Sequence, residues 1–301
     1  LSIENGFEIP QAKSMELIGD GGTLSLDNNM KISGTLKFPS QGTLSNGTIT
    51  LNGGLLDVDQ DITVGSSLVH AAGSFIEIEA GKALSYTGQV FNIGNLALRI
   101  SGGGTFNNTN NLTIDNAGSS LTISDSTKVS RVLVSASSTG NGMTISASAG
   151  SENLIENLQL SSDLSVTSDA AWSVGSIIAD SALTLSNDKD LSVGSLSLSG
   201  SAEMSLGASD ITMSVTNPVS AGSTQIIRNG GGFLNFKGGL TLASGSELIG
   251  QGQQISGNIA LSGGKLTAEQ DTAFPGDISV SADSTIHIAS SKALTYGGQA
   301  V

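Results

Sequence analysis

Short apolar-polar-apolar triplets recur along the whole chain, each bounded by Gly, Ser, Asn or Asp. They include Leu24/Leu26, Ile49/Leu51, Ile62/Val64, Ile76/Ile78, Leu96/Leu98, Leu112/Ile114 and Leu121/Ile123. Further along come Leu158/Leu160, Leu164/Val166, Leu183/Leu185, Leu191/Val193 and Met204/Leu206. Alternation with a period of two turns every second side chain to a buried face and the others to water. The runs are too short for an immunoglobulin-like sandwich, whose strands commonly reach about five or six residues or more. They also keep a pitch: Leu121, Met143, Leu164, Leu183 and Met204 are 22, 21, 19 and 21 residues apart. Small strands inside a repeating unit of roughly this length are the pattern of a β-solenoid. The chain is therefore expected to be all-β, a parallel β-helix with about 21 residues per coil and about 14 coils, continuous over residues 1–301.

A longer repeat lies over the short one. A shift of 210 residues aligns Gly21–Gln89 with Gly231–Gln299 without a gap. It matches Ile49 with Ile259, Gly53-Gly54 with Gly263-Gly264, Gln60-Asp61 with Gln270-Asp271, and KALSYTGQ from Lys82 with KALTYGGQ from Lys292. Ten coils of 21 make 210, and the pattern implies a piece of a longer array.

Composition fits once corners are counted. The 40 Gly residues, with abundant Ser, resemble a flexible linker, but a linker does not sustain alternation from end to end. Gly, Asn and Asp supply the positive-φ corners, and the run Asn107-Asn108-Thr109-Asn110-Asn111 reads as one of them. One coil offers about five inward side chains at about 1.5–3 kcal/mol each. That falls short of a backbone entropy cost of about 1–2 kcal/mol per residue over the coil. Stability must come from stacking at about 4.8 Å. The segment SENLIENLQL (Ser151–Leu160) also admits a helical turn, with Leu158-Gln159-Leu160 read as strand.

Charge and composition exclude several function classes. With 26 acidic against 12 basic residues, net −14, the chain lacks the basic footprint of a nucleic-acid binder. It has no apolar run long enough to span a bilayer and no surface for anionic lipid. Zero Cys excludes disulfides and thiolate metal sites. Phosphate-loop, nucleophile-elbow and paired-His zinc motifs are missing. His70 and His287 read as surface residues, and Gly102-Gly103-Gly104 and Gly230-Gly231-Gly232 as turns. Lys128 and Arg131 are the closest pair of dispersed bases, too few to line a groove, so the chain is expected to be no enzyme and to need no cofactor. Thr48-Ile49-Thr50 stands alone as an ice-binding type of triplet, and Tyr86, Trp172 and Tyr296 are too sparse to stack sugars.

The best constellation is acidic. Asp57, Asp59 and Asp61 alternate along one strand, and Glu77 and Glu79 follow 20 residues after the first two. Stacked coils would set these carboxylates above one another, where like charges repel unless a cation lies between them, and carboxylate oxygens suit calcium. The competing reading is a solvated acidic patch. The counterparts 210 residues on are Thr267, Glu269, Asp271, His287 and Ala289, so the cluster is not repeated.

SLTIS (Ser120–Ser124), ALTLS (Ala182–Ser186) and GSLSLSGSAEMSLG (Gly194–Gly207) resemble the repetitive passengers of large bacterial surface proteins, namely autotransporter passengers and filamentous-haemagglutinin-like adhesins. The resemblance is one of style over the whole chain and carries no functional residue. It implies a right-handed β-helix exported to the cell surface and serving as a stalk, adhesin or filament. The expected function is thus a structural repeat segment of an extracellular protein, self-associating end to end or side by side. The alternatives are an adhesin surface for host or carbohydrate ligands and a phage tailspike-like polysaccharide-degrading enzyme.

Overall fold

Each triplet becomes a strand, and each strand pairs in parallel with the strand one coil away. The computed structural model describes residues 2–3, 6–18, 21–135, 142–146, 154–207 and 211–298, and contains no helix among them. The fold is a parallel β-solenoid of about 21 residues per turn and about 13 turns, one fewer than the pattern predicts. It forms two compact units, Leu1–Glu156 and Asn157–Val301.

In the first unit each coil has three sides. The first side stacks Gly22–Leu26, Gly42–Ser45, Ile62–Val64, Ala83–Tyr86 and Thr105–Asn108. The second stacks Phe7–Ile9, Asn29–Ile32, Thr48–Asn52 and Ser67–Ala72. The third runs from Ser14–Glu16 through Thr35–Phe38, Leu55–Val58, Ser74–Ile78 and Ala97–Ser101 to Ser120–Ile123 and Met143–Ile145. In the interior of that side Leu36, Leu56, Ile76, Ile100 and Ile123 lie directly upon one another, all fully buried. On the first side Tyr86 is fully buried, its ring stacked on Phe106 at 6.1 Å and edge-on to Phe91 at 6.3 Å. Its hydroxyl accepts a hydrogen bond from the Leu68 amide at 3.1 Å.

In the second unit the first two sides often join into one long strand, as in Trp172–Ala179, Leu191–Leu198, Phe233–Ala243 and Ile255–Ser262. The alternating pattern does not reveal this fusion, because Gly at the bend looks like any corner Gly. The third side carries Leu164–Ser168, Ala182–Asn187, Glu203–Leu206, Ile226–Arg228, Glu247–Gly250, Lys265–Ala268 and Thr285–Ile288. Ile155–Leu160 is a strand, so no helical turn forms at the described end of SENLIENLQL, whose residues 151–153 lie outside the described residues.

Two registers differ from the sequence pattern. Leu164 pairs with Leu185, not Leu183, and the buried pair near residue 98 is Leu98/Ile100, with Leu96 half-buried before the strand. Both shifts are by two residues, which keeps the same face inward.

The 210-residue repeat is reproduced in three coil-to-coil hydrogen bonds. Leu68 N–H bonds Tyr86 Oη, and Ile278 N–H bonds Tyr296 Oη at 3.3 Å. Ala83 N–H bonds Asp61 Oδ1, and Ala293 N–H bonds Asp271 Oδ1, both at 2.8 Å. Gly53 N–H bonds Ser74 Oγ, and Gly263 N–H bonds Ser284 Oγ. Gln299, which closes the sequence match, lies outside the described residues.

Close stacking leaves no room for a side chain at some bends. Gly257 and Gly231 have nearly the same left-handed backbone, φ +105° and +103°. A Cβ on Gly257 would meet the Phe236 carbonyl oxygen at 2.1 Å, whereas one on Gly231 meets nothing within 4 Å. Both alanine substitutions strain the backbone by about 1–2 kcal/mol. Only Gly257→Ala also drives a methyl into the coil below, so it should lower the stability of the second unit by roughly 2 kcal/mol more than Gly231→Ala. Denaturant unfolding followed by circular dichroism compares them, and equal shifts would sink the steric explanation.

Candidate functional site

The stacking places Glu77 in register upon Asp57, as the 20-residue spacing predicts. The neighbour on the other side of Asp57 is Lys37, also in register. Lys37 Nζ lies 3.3 Å from Asp57 Oδ2 and 2.8 Å from Asp59 Oδ2, so an ammonium group of the chain itself sits at this pair of carboxylates. Lys37 was legible from the same signal, since it precedes Asp57 by the spacing that separates Asp57 from Glu77.

The remaining two acids lie at or beyond the strand ends. Asp61 lies past the corner and accepts the Ala83 amide. Glu79 lies at the next corner, where its N–H donates to Val58 O and its carbonyl accepts from Lys82 N–H. Among the described residues no three His, Asp or Glu side chains converge as a metal-holding group.

Hydrogen bonds to Asp59 and Asp57 raise the Lys37 ammonium to about 12. The Asp57 carboxyl is itself raised, because its partial burial outweighs the downward pull of Lys37, and Asp59 adds to the rise. Both rise, for different reasons: the carboxylates favour the charged ammonium of Lys37, whereas burial of Asp57 against the sheet disfavours its charged form.

Acidic side chains do further work at corners. Asp61, Asp163, Asp190 and Asp271 each accept, through Oδ1, the backbone N–H of a residue one coil on. The donors are Ala83 at 2.8 Å, Thr184 at 2.6 Å, Thr212 at 2.7 Å and Ala293 at 2.8 Å. Each of these Asp residues directly precedes a strand triplet, such as Asp61 before Ile62-Thr63-Val64, a signal present in the sequence but not in the apolar alternation.

The Asn run behaves as a corner with a second role. The Asn108 amide is buried, donates to Asn110 O and Arg131 O at 2.7 Å each, and accepts from Arg131 N–H at 3.1 Å. It therefore stands in for one strand residue facing the next coil. Asn229 does the same in the second unit, accepting from Gln251 N–H at 2.6 Å and donating to Gly232 O and Gly252 O. Trp172 is buried, with its indole N–H on Asn187 Oδ1 at 3.1 Å, so it packs and presents no face to a sugar.

His70 differs from its surface reading. It is half-buried on Ser67–Ala72, edge-on to Phe91, and its Nδ1 lies 2.9 Å from Ile93 O, which places the proton on Nδ1. Nε2 is buried with no partner, and burial lowers the imidazole below its ordinary value. His287 is exposed on Thr285–Ile288.

The outer face of the second unit uses a different charge set. Arg228 contacts Glu203 and, at 3.4 Å, Glu269. Lys265 pairs with Glu247 at 2.9 Å, and Thr267 Oγ1 donates to Glu247 at 2.5 Å. No family model, no curated protein and no solved structure matches this chain.

Two outcomes follow for the charged positions. Lys37→Met leaves Asp57 and Asp59 without their ammonium, so it should melt below the wild type. Millimolar calcium should recover part of that loss while leaving the wild type unmoved. Because pairing raises Lys37, its contribution is complete below its ordinary 10.5 and disappears as pH rises through about 12, so the gap between the two proteins should narrow over that window. Scanning fluorimetry reads each of these. A wild-type melting temperature that climbs with calcium would show that the ammonium is not the resident cation.

For His70 the sign is opposite. Its folded pKa is lowered, so its contribution is present above the unfolded value and is lost as pH falls below about 6.5. His70→Phe should flatten the fall in wild-type stability on acidification. An unchanged slope would locate that titration elsewhere.

Proposed function

We propose that this chain is a structural segment, a stalk or filament spacer, of a large bacterial protein displayed outside the cell. The observation that supports this most is where its polar side chains go. The corner residues Asp61, Asp163, Asp190, Asp271, Asn108 and Asn229 bond the backbone of a neighbouring coil. Even the acidic ladder draws its cation from Lys37. Side chains committed to holding coils together suit a chain whose task is mechanical.

Export is supported by the likeness of SLTIS, ALTLS and GSLSLSGSAEMSLG to surface-protein passengers and by the absence of Cys. An adhesin face or a carbohydrate cleft would call for clustered aromatics or facing carboxylates on one accessible surface. Trp172 and Tyr86 are instead buried, and exposed Phe75 pairs in register with Leu55 and Arg99.

The test uses intact source cells. An antibody to the chain should label them without lysis, and external protease should release a resistant core rather than small peptides. Labelling that requires lysis, or rapid complete digestion, would overturn the proposal.

A further inference from the structure

On the second side of the first unit the coil-to-coil ladder is interrupted in mid-stack. The sheet of Phe7–Ile9, Asn29–Ile32, Thr48–Asn52 and Ser67–Ala72 stops at its fourth strand. Among the described residues no strand pairs with the far edge of Ser67–Ala72. In the next coil Phe91-Asn92 pairs with Leu112-Thr113 of the coil after it. Phe91 N–H and Ile93 N–H donate in that same direction, to Asn111 O and Thr113 O, and Gly94 N–H donates to Asp115 Oδ1. The other two sides run through this level unbroken. Ala83–Tyr86 pairs with Ile62–Val64 and Thr105–Asn108, and Ser74–Ile78 with Leu55–Val58 and Ala97–Ser101.

Side chains bridge the seam that the backbone leaves. Leu68 N–H donates to Tyr86 Oη at 3.1 Å, and His70 Nδ1–H donates to Ile93 O at 2.9 Å. The ring of Phe91, fully buried, stands edge-on to both His70 and Tyr86 at 6.3 Å. The tyrosine bond recurs 210 residues on as Ile278 N–H to Tyr296 Oη. The counterpart of His70 is Val280, so the imidazole is particular to this level.

We propose that this seam is a joint that opens in acid, with the His70 imidazole as its latch. The neutral ring spends its proton on Ile93 O and buries Nε2 without a partner. A second proton places a donor and a positive charge at that atom, between Leu51 in register below and Phe91 above. A buried donor without an acceptor is costly, and a buried unpaired charge more so. Hydrating the ring requires it to leave Ile93 O, which removes one of the two bridges.

The groups around it offer no counter-charge. Ala83–Tyr86 presents the Tyr86 phenol, which burial pushes above its ordinary value. Thr48–Asn52 and Phe91-Asn92 carry no titratable side chain, and Asp115 one coil on is engaged by Gly94 N–H. Burial accordingly holds the imidazole below its ordinary value against the pull of the Ile93 and Ala72 carbonyls. The open seam therefore binds the proton more tightly than the closed one, and closure weakens as pH falls below about 6.5. Because two sides stay paired, the opening is local to one side of the coil. It depends on the seam alone and holds whether or not the chain is a spacer.

Hydrogen exchange of the 301-residue chain, read by mass spectrometry between pH 7.5 and pH 5, tests this. Each rate is divided by that of the same peptide in the unfolded chain at the same pH. Peptides covering 67–72 and 88–95 should lose protection by up to about tenfold per pH unit below 6.5, while those covering 74–78 and 97–108 keep theirs. His70→Gln keeps an N–H for Ile93 O but does not titrate, so both peptides should stay protected in acid. Tyr86→Phe removes the other bridge and should lower their protection at every pH without changing the slope. Circular dichroism checks the fold of each variant, and His70→Phe takes the place of His70→Gln if that one does not fold.

Three results overturn the proposal. One is unchanged protection of 67–72 and 88–95 down to pH 5. Another is an acid loss that survives in His70→Gln. The third is a uniform loss along the whole first unit, which would mean global unfolding rather than a joint.

Discussion

The backbone hydrogen bond from one coil to the next is the interaction on which the remaining features depend. A coil of short strands cannot pair its own amides, so it relies on its neighbours. The ladder continues beyond the strands: Leu55 N–H donates to Gly34 O, Asp59 to Phe38 O and Phe75 to Gly54 O, each in the preceding coil. Once those bonds fix the register, each inward side chain must rest on one like itself, as in the column from Leu36 to Ile123. Outward side chains are stacked by the same rule, and their charges must then be compatible at about 4.8 Å.

The long repeat separates what stacking dictates from what it leaves free. Between the two copies the tyrosine clamp, the corner aspartate and the corner serine keep their partners. The outward residues of the third side do not: Leu55, Asp57, Phe75 and Glu77 correspond to Lys265, Thr267, Thr285 and His287. Interior and corner positions answer to two neighbouring coils at once. An outward position answers mainly to the residues above and below it in its own row.

This division explains how much of the molecule the sequence revealed. Triplets and pitch were legible because strand alternation and Gly-rich corners are local signals. Register was less so. Leu164 lies on Leu185 rather than Leu183 because the length of the intervening corner decides between two positions that point the same way. The pairing of Asp57 with Glu77 followed from spacing, and Lys37 could have been found by the same count backwards. The burial of His70 could not, because it depends on Phe91 and Ile93 in the next coil.

The acid excess has a physical place in this arrangement. Where outward rows bring charges into register, a base often faces an acid: Glu8 with Lys31, Lys37 with Asp57, Glu247 with Lys265. Twelve bases cannot serve 26 acids in that way. Part of the remainder sits at corners, where Asp61, Asp163, Asp190 and Asp271 accept backbone N–H groups and need no counter-charge to be satisfied. Negative charge is thereby carried on the rims of the coils, where it opposes close lateral approach of another coil stack at low ionic strength.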